Sequence, residues 1–226
     1  MTRLDGLTWP EVADRAATSV LVVPIGSTEQ HGPHLPLATD LLIAVALAER
    51  LARLRPDVLV APGLPYGSSG EHAGFAGTLS IGQDALEALV VELVRSADAF
   101  AGVVLVSAHG GNAEPLERAA ATLEAEGRNI LSWAPRVDAG DAHAGRTETS
   151  ILLALGERVV RERAAAGDTR PLNALLPALR RDGVAALSAN GVLGDPAGAS
   201  ASEGAELLDA LTTDLVAAVA AWRRRL

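Results

Sequence analysis

Cysteine is absent from the 226-residue chain and so is lysine: all 19 basic residues are arginine. The first absence excludes disulfides, thiolate metal sites and cysteine nucleophiles. The second excludes a Schiff-base lysine and the lysine of a phosphate-binding P-loop. Any metal must therefore be held by His, Asp and Glu. No apolar run approaches the roughly 18 residues that a membrane span needs, and the N-terminus has no basic region followed by an apolar stretch, so a cytoplasmic protein that does not enter a membrane is expected. Positive charge is scarce as well. The net charge of -9 disfavours nonspecific binding to nucleic acid or anionic lipid, both of which need a positive field. The one basic cluster, Arg223, Arg224 and Arg225, sits where it suits the end of a helix dipole. Gly-x-Ser-x-Gly and Gly-x-Gly-x-x-Gly are also missing, which argues against a serine hydrolase and a dinucleotide fold.

What is present is a globular composition, 49% hydrophobic with a mean hydropathy of +0.23, and a length that predicts a single domain over residues 1–226. Its most informative stretch is Gly26-Ser-Thr-Glu-Gln-His-Gly-Pro-His-Leu-Pro-Leu-Ala-Thr-Asp40, two carboxylates and two histidines directly after an apolar run. In extended chain Glu29 and His31 point the same way, and Asp40 can close from the far side. Gly32, Pro33 and Pro36 forbid a continuous helix or central strand, so the segment is a shaped loop. Mixed oxygen and imidazole donors suit Zn, Mn or Fe better than Ca or Mg. The plain alternative, Asp40 as a helix cap, leaves Glu29 and His31 unexplained.

The pattern along the chain alternates. Strands are expected at Val20–Ile25, 58–61, 103–106 and 129–133, with helices from Asp40 to Leu54, from Leu86 to Ala97, over 114–126, ending at Leu155, and from about Ala205 with Leu208, Leu211, Leu215, Val219 and Trp222 inward. Residues 161–204 read as irregular because of Pro171, Pro177, Pro196 and several glycines. The glycine-rich stretch 63–82, carrying Glu71, His72 and Phe75, resembles an active-site loop. Strand–helix alternation implies an α/β three-layer sandwich with a mostly parallel central sheet, whose ligands bind outside the carboxyl ends of the strands. The polar segments starting at Glu29, His109 and His143 each follow a predicted strand, so they should converge on one sheet edge. Five or six such ligands exceed one tetrahedral site and suit two metals about 3.5–4 Å apart with Asp40 as the bridge. His143 and Glu148 are the candidates for proton transfer to a leaving nitrogen. Glu148 has a plain alternative as a favourable charge at a helix N-terminus. His34 and His72 suit roles beside the ligands rather than among them.

Four motifs in order, the 26–40 stretch, Gly70-Glu-His-Ala-Gly-Phe-Ala-Gly-Thr-Leu-Ser80, His109-Gly-Gly-Asn112 and His143-Ala-Gly-Arg-Thr-Glu-Thr-Ser150, resemble the creatininase family of amidohydrolases. The resemblance implies two divalent metals (Zn, Fe or Mn) held by Glu29, His31, Asp40, His109 and Glu148, with His143 and Glu148 catalytic. His34, Glu71, His72, Asn112 and Arg146 would support the ligands or touch substrate, Arg146 being a positional guess for reading a carboxylate. Creatininase itself carries a Glu two residues after the last ligand histidine. The chain has Gly111 there, so the missing oxygen is assigned to Glu148 and creatinine is disfavoured as substrate. The stretches Gly67-Ser-Ser-Gly-Glu-His72, Leu131-Ser-Trp-Ala-Pro135 and Asn190-Gly-Val-Leu-Gly-Asp-Pro-Ala-Gly198 are similar to the peptidase branch of that family. This implies a homo-oligomer whose substrate is a small modified precursor peptide, cut to release its C-terminal Val-Tyr unit. The alternatives are a small cyclic amide, a formamido-pyrimidine nucleotide, or a non-catalytic phosphate-binding module built on the 109–112 turn.

Overall fold

The computed structural model describes residues 3–137 and 140–225. In chain order the elements are α1 (Trp9–Ala13), β1 (Val20–Ile25), α2 (Thr39–Leu54), β2 (Val58–Val60), α3 (Gln83–Arg95), β3 (Gly102–Ser107), α4 (Ala113–Ala125), β4 (Ile130–Trp133), α5 (Arg146–Leu155), α6 (Leu172–Asp182), α7 (Val184–Leu187) and α8 (Ala201–Arg223). Among the described residues the four strands form one parallel sheet in the order β2-β1-β3-β4.

The sheet is covered on both faces, which is why its strands read as unbroken apolar runs. Along β1, Val20 and Val22 face a core shared with Leu47, Leu51, Leu152, Leu208, Leu215 and Trp222 from α2, α5 and α8. Leu21, Val23 and Ile25 alternate to the other face and pack with Leu86, Val90, Leu116 and Leu123 of α3 and α4. The period of two in a strand produces this partition between layers. Pro24 is tolerated inside β1 because the ladder to β2 ends at Val22↔Val60. The chain steps from β1 one way to β2 and then crosses back to β3 on β1's other side. The order therefore reverses between β1 and β3, and the crevice at their carboxyl ends is where such sheets bind ligands.

Two departures from the expected pattern matter for the site. Residues 161–204 are not irregular throughout: α6 and α7 lie within them. Leu172, Leu175, Leu176 and Leu179 recur at three- and four-residue steps, and the helix forms despite Pro177 in its interior, with Leu175 fully buried. The last helix starts at Ala201, where Ser200 Oγ accepts a hydrogen bond from Glu203 N at 3.2 Å. Ser-x-x-Glu is the sequence signal for that start. Its close contact with α5 depends on Gly204, where any Cβ would overlap the carbonyl of Ser150.

Candidate metal centre

The three polar segments meet at the predicted sheet edge. The 26–40 loop leaves the end of β1 through Gly26, where a Cβ would overlap the backbone of Leu41 on α2. It then folds on itself through bonds from Glu29 N to Leu37 O (3.1 Å) and from Leu35 N to His31 O (3.4 Å), with Gly32 at φ +63°. His109 follows β3 and enters a one-turn 3₁₀ segment, Gly110–Asn112. The third segment arrives less directly than the sequence implied, because His143 lies ten residues beyond Trp133, with residues 138 and 139 outside the described part. Its backbone is held by Leu193, through His143 N to Leu193 O (3.1 Å) and Leu193 N to His143 O (2.9 Å). Ala144, at φ +51°, carries the strain of the turn into α5.

Two groups of potential ligands result, Glu29 with Asp40 and His109, and His31 with Asp40 and Glu148; within each, one ligand atom per residue lies within 4.8 Å of the others. Asp40 belongs to both. A third such group joins Glu29, His31 and His143. Each of the three histidines turns one ring nitrogen to a backbone carbonyl and the other into the cluster. His31 Nδ1 is 3.1 Å from Glu29 O, His109 Nε2 is 2.9 Å from Ser68 O and His143 Nε2 is 2.8 Å from Gln30 O. This fixes the ring with its other nitrogen turned inward, the usual support of a ligating histidine. The opposite nitrogens reach Asp40 at 3.2 Å from His31 Nε2 and 3.4 Å from His109 Nδ1.

The donor set fits divalent metal. Glu29 is fully buried, and its carboxylate oxygens meet only imidazole nitrogens, Oε1 facing His72 Nε2 and Oε2 facing His109 Nε2, each at 3.2 Å. A buried carboxylate is costly unless a cation, metal or protonated imidazole, faces it. Burial alone pulls an imidazole down, but the charge and hydrogen bond of Asp40 push His31 up to about 10, and Glu29 does the same for His109. Burial works against Asp40, yet His31 and His109 hold it well below the usual carboxylate range. Without metal, protons thus do the work of cations. Burial pushes Glu148 up to about 7 while its Oε2 accepts from Ala144 N at 2.6 Å. Glu148 thus stands at the N-terminus of α5 and within one of the potential ligand groups at once.

The sign of the pH dependence follows. A histidine pushed from about 6.5 in the unfolded chain to about 10 stabilises the metal-free fold fully below about 6.5, and that contribution is lost as pH rises through about 10. Metal must displace these protons, so affinity should rise with pH across the same window. Calorimetric titration of metal-free protein at pH 8 in two buffers of different ionisation enthalpy should show about two protons released on full loading. Release of none would contradict the assignment of His31 and His109.

The remaining predicted residues divide. His72 is buried with Nε2 3.2 Å from Glu29 Oε1, and burial holds it down at about 3, so it backs the carboxylate as a neutral ring. Burial raises Glu71, which lines the cleft with Oε1 3.7 Å from His109 Nε2. A Cβ at Gly111 would collide with that same oxygen, with Ser68 O and with His109 Nε2. His34 Nε2 bonds Thr149 Oγ1 at 3.0 Å, tying the first loop to α5 away from the cleft. Asn112 is fully buried and clamps Ser68 N (2.9 Å) and Gly26 O (3.0 Å), so it holds the 67–70 turn against the end of β1. Arg146 is outside the cleft lining, and its Nε pairs with both oxygens of Glu203 at 2.8 and 2.9 Å, pinning α5 to α8. Gln30 was not foreseen. In extended chain it points opposite to Glu29 and His31, yet it is buried against both His72 and His143.

The cleft over the cluster has a volume of about 760 Å³. His72, His109 and His143 form its floor, and Leu172, Leu176 and Leu179 of α6 with Val184 of α7 form an apolar wall.

The family model for creatininase, described as creatinine amidohydrolase, matches residues 5–219. The chain belongs to the creatininase family. Creatininase-family membership makes it a hydrolase of C–N bonds. Among curated creatininase-like relatives, the mycofactocin precursor peptide peptidase of Mycobacterium tuberculosis (strain ATCC 25618 / H37Rv) is 51% identical over 214 residues, covering 89% of this chain and 85% of the relative. Of solved structures, creatinine amidohydrolase (creatininase) superposes with a TM-score of 0.80 at 27% identity over 96% of both chains. A creatininase variant described as of Zn-Zn type gives 0.76 at 25% identity, again over 96% of both. The creatininase-family α/β architecture expected from the motifs is thus the observed one, and the possible metal ligands lie at its sheet edge.

Proposed function

We propose that the chain is a dinuclear metallopeptidase that releases the modified C-terminal Val-Tyr unit of a mycofactocin precursor peptide. The observation that carries the chemistry is Asp40 shared between two ligand groups beneath an open cleft. The substrate rests on the 51% identical peptidase of M. tuberculosis. Two divalent ions (Zn, Fe or Mn) held by Glu29, Asp40 and His109 and by His31, Asp40 and Glu148 would supply Lewis acidity toward water and the scissile carbonyl. The chain's own groups do the rest. His143, held down as a neutral imidazole by burial and by the neighbouring His31, can take a proton through its inward Nδ1 and deliver it to the leaving nitrogen. The apolar wall of α6 and α7 suits a bulky apolar unit and excludes water around it. The same reading carries a single-domain cytoplasmic homo-oligomer.

The test is an assay of purified, metal-loaded protein on the modified precursor peptide beside creatinine and a formamido-pyrimidine nucleotide. The peptide should be cut with kcat/KM at least about 10³-fold above either small amide, a difference of about 4 kcal/mol in transition-state binding. A preference for either small amide would overturn the substrate.

A further inference from the structure

Gln30 lies between two expected ligands and is almost fully buried, and every polar atom of its side chain is engaged. Its Oε1 accepts from Gly32 N at 2.8 Å, which fixes the amide's orientation. Its Nε2 lies 3.0 Å from Gly191 O, 2.9 Å from His72 Nδ1 and 3.0 Å from His143 Nε2, while its backbone oxygen lies 2.8 Å from His143 Nε2. An amide nitrogen has two hydrogens and accepts none. His143 Nε2 therefore carries its proton and gives it to Gln30 O, leaving Nδ1 as the inward lone pair. The two amide hydrogens go to Gly191 O and to His72 Nδ1. A ring nitrogen that receives a donor is unprotonated, so the proton of His72 sits on Nε2, which faces Glu29 Oε1 at 3.2 Å. One side chain and its own carbonyl thus decide which nitrogen is protonated on two histidines.

We infer that Gln30 is a positioning residue that sets the tautomers of His72 and His143, so that His143 offers an inward acceptor and His72 an inward donor. The stretch 190–198, which the sequence ties to substrate choice, contributes to this clamp. Gly191, at φ +78°, supplies the carbonyl, and a Cβ there would collide with Gln30 Oε1. The inference rests on the proposed hydrolysis only for its kinetic consequence; the tautomers themselves are a property of the resting protein.

Nitrogen-15 correlation spectra of histidine-labelled protein, loaded with zinc, read the tautomers directly. The wild type should show His72 and His143 both protonated on Nε2. Gln30→Glu offers an acceptor to His72 Nδ1, so the His72 proton should move to Nδ1. Gln30→Met removes the clamp and should leave His72 as a mixture. Both variants should keep the wild-type metal content and KM within about threefold, with kcat lower by about 10²-fold, the usual scale of proton-transfer catalysis. A wild-type His72 protonated on Nδ1 would overturn the inference without any variant. Unchanged kcat in Gln30→Met, or a loss explained by missing metal, would overturn it too. If the wild type leaves the peptide uncut while the tautomers are as stated, the substrate reading fails and this one stands.

Discussion

Asp40→Ala is expected to lose both metals and to lower kcat/KM by at least about 10⁴-fold, or about 5.4 kcal/mol of transition-state stabilisation. Asp40 is the one residue common to the two ligand groups, and it is buried at the start of α2, with Ser27 Oγ donating to Oδ2 at 2.6 Å and His31 on Oδ1. Removing any other carboxylate leaves one group whole, whereas removing Asp40 opens both. The measurement is metal content by mass spectrometry with activity on the same sample. Asp40→Asn serves as the companion variant: it keeps the shape and the contact with Ser27, and it should lose metal equally because the charge is gone. Retention of two metals by either variant would remove Asp40 from the bridging position.

Stripping the metals from the wild type should abolish hydrolysis and restoring zinc or manganese should recover it. The physical reason is Glu29, a fully buried carboxylate whose oxygens meet only the rings of His72 and His109. In metal-free protein its charge faces only imidazoles, so binding a divalent ion stabilises the folded state specifically. At free metal about 100 times the dissociation constant, the gain should be about 2.7 kcal/mol per site, visible as a rise in Tm. Full activity in protein shown to be free of metal would contradict the proposed chemistry outright.

Much of this arrangement is legible in the sequence. The buried strands β1 and β3 read as apolar runs because both faces are covered, and the histidines could be placed because parallel sheets put polar turns at one edge. What escaped has specific causes. The helix α6 was hidden by Pro177, which usually breaks a helix but is outweighed by the leucine stripe that buries Leu175. With α6 unseen, the apolar wall of the cleft was unseen too. Gln30 escaped because alternation assigns it to the face opposite the ligands, and only the fold of the loop and of residues 190–193 brings two histidines to that face. Arg146 shows the opposite case: its neighbourhood in sequence is the site, but its ion pair is with Glu203, 57 residues away, a partner no local pattern signals.

Gly111 constrains how this centre and that of creatininase itself can be related. A side chain at 111 would have to occupy the space already filled by Glu71 Oε1 beside His109. The creatininase-type Glu at that position would displace Glu71 Oε1 and press on the backbone oxygen of Ser68. Glu71 Oε1 is the tip of a flexible side chain and can swing away, whereas the Ser68 carbonyl is backbone, so Gly111→Glu requires the 67–70 turn to shift as well. What separates the two arrangements is therefore the path of the loop facing His109 as much as the identity of one side chain.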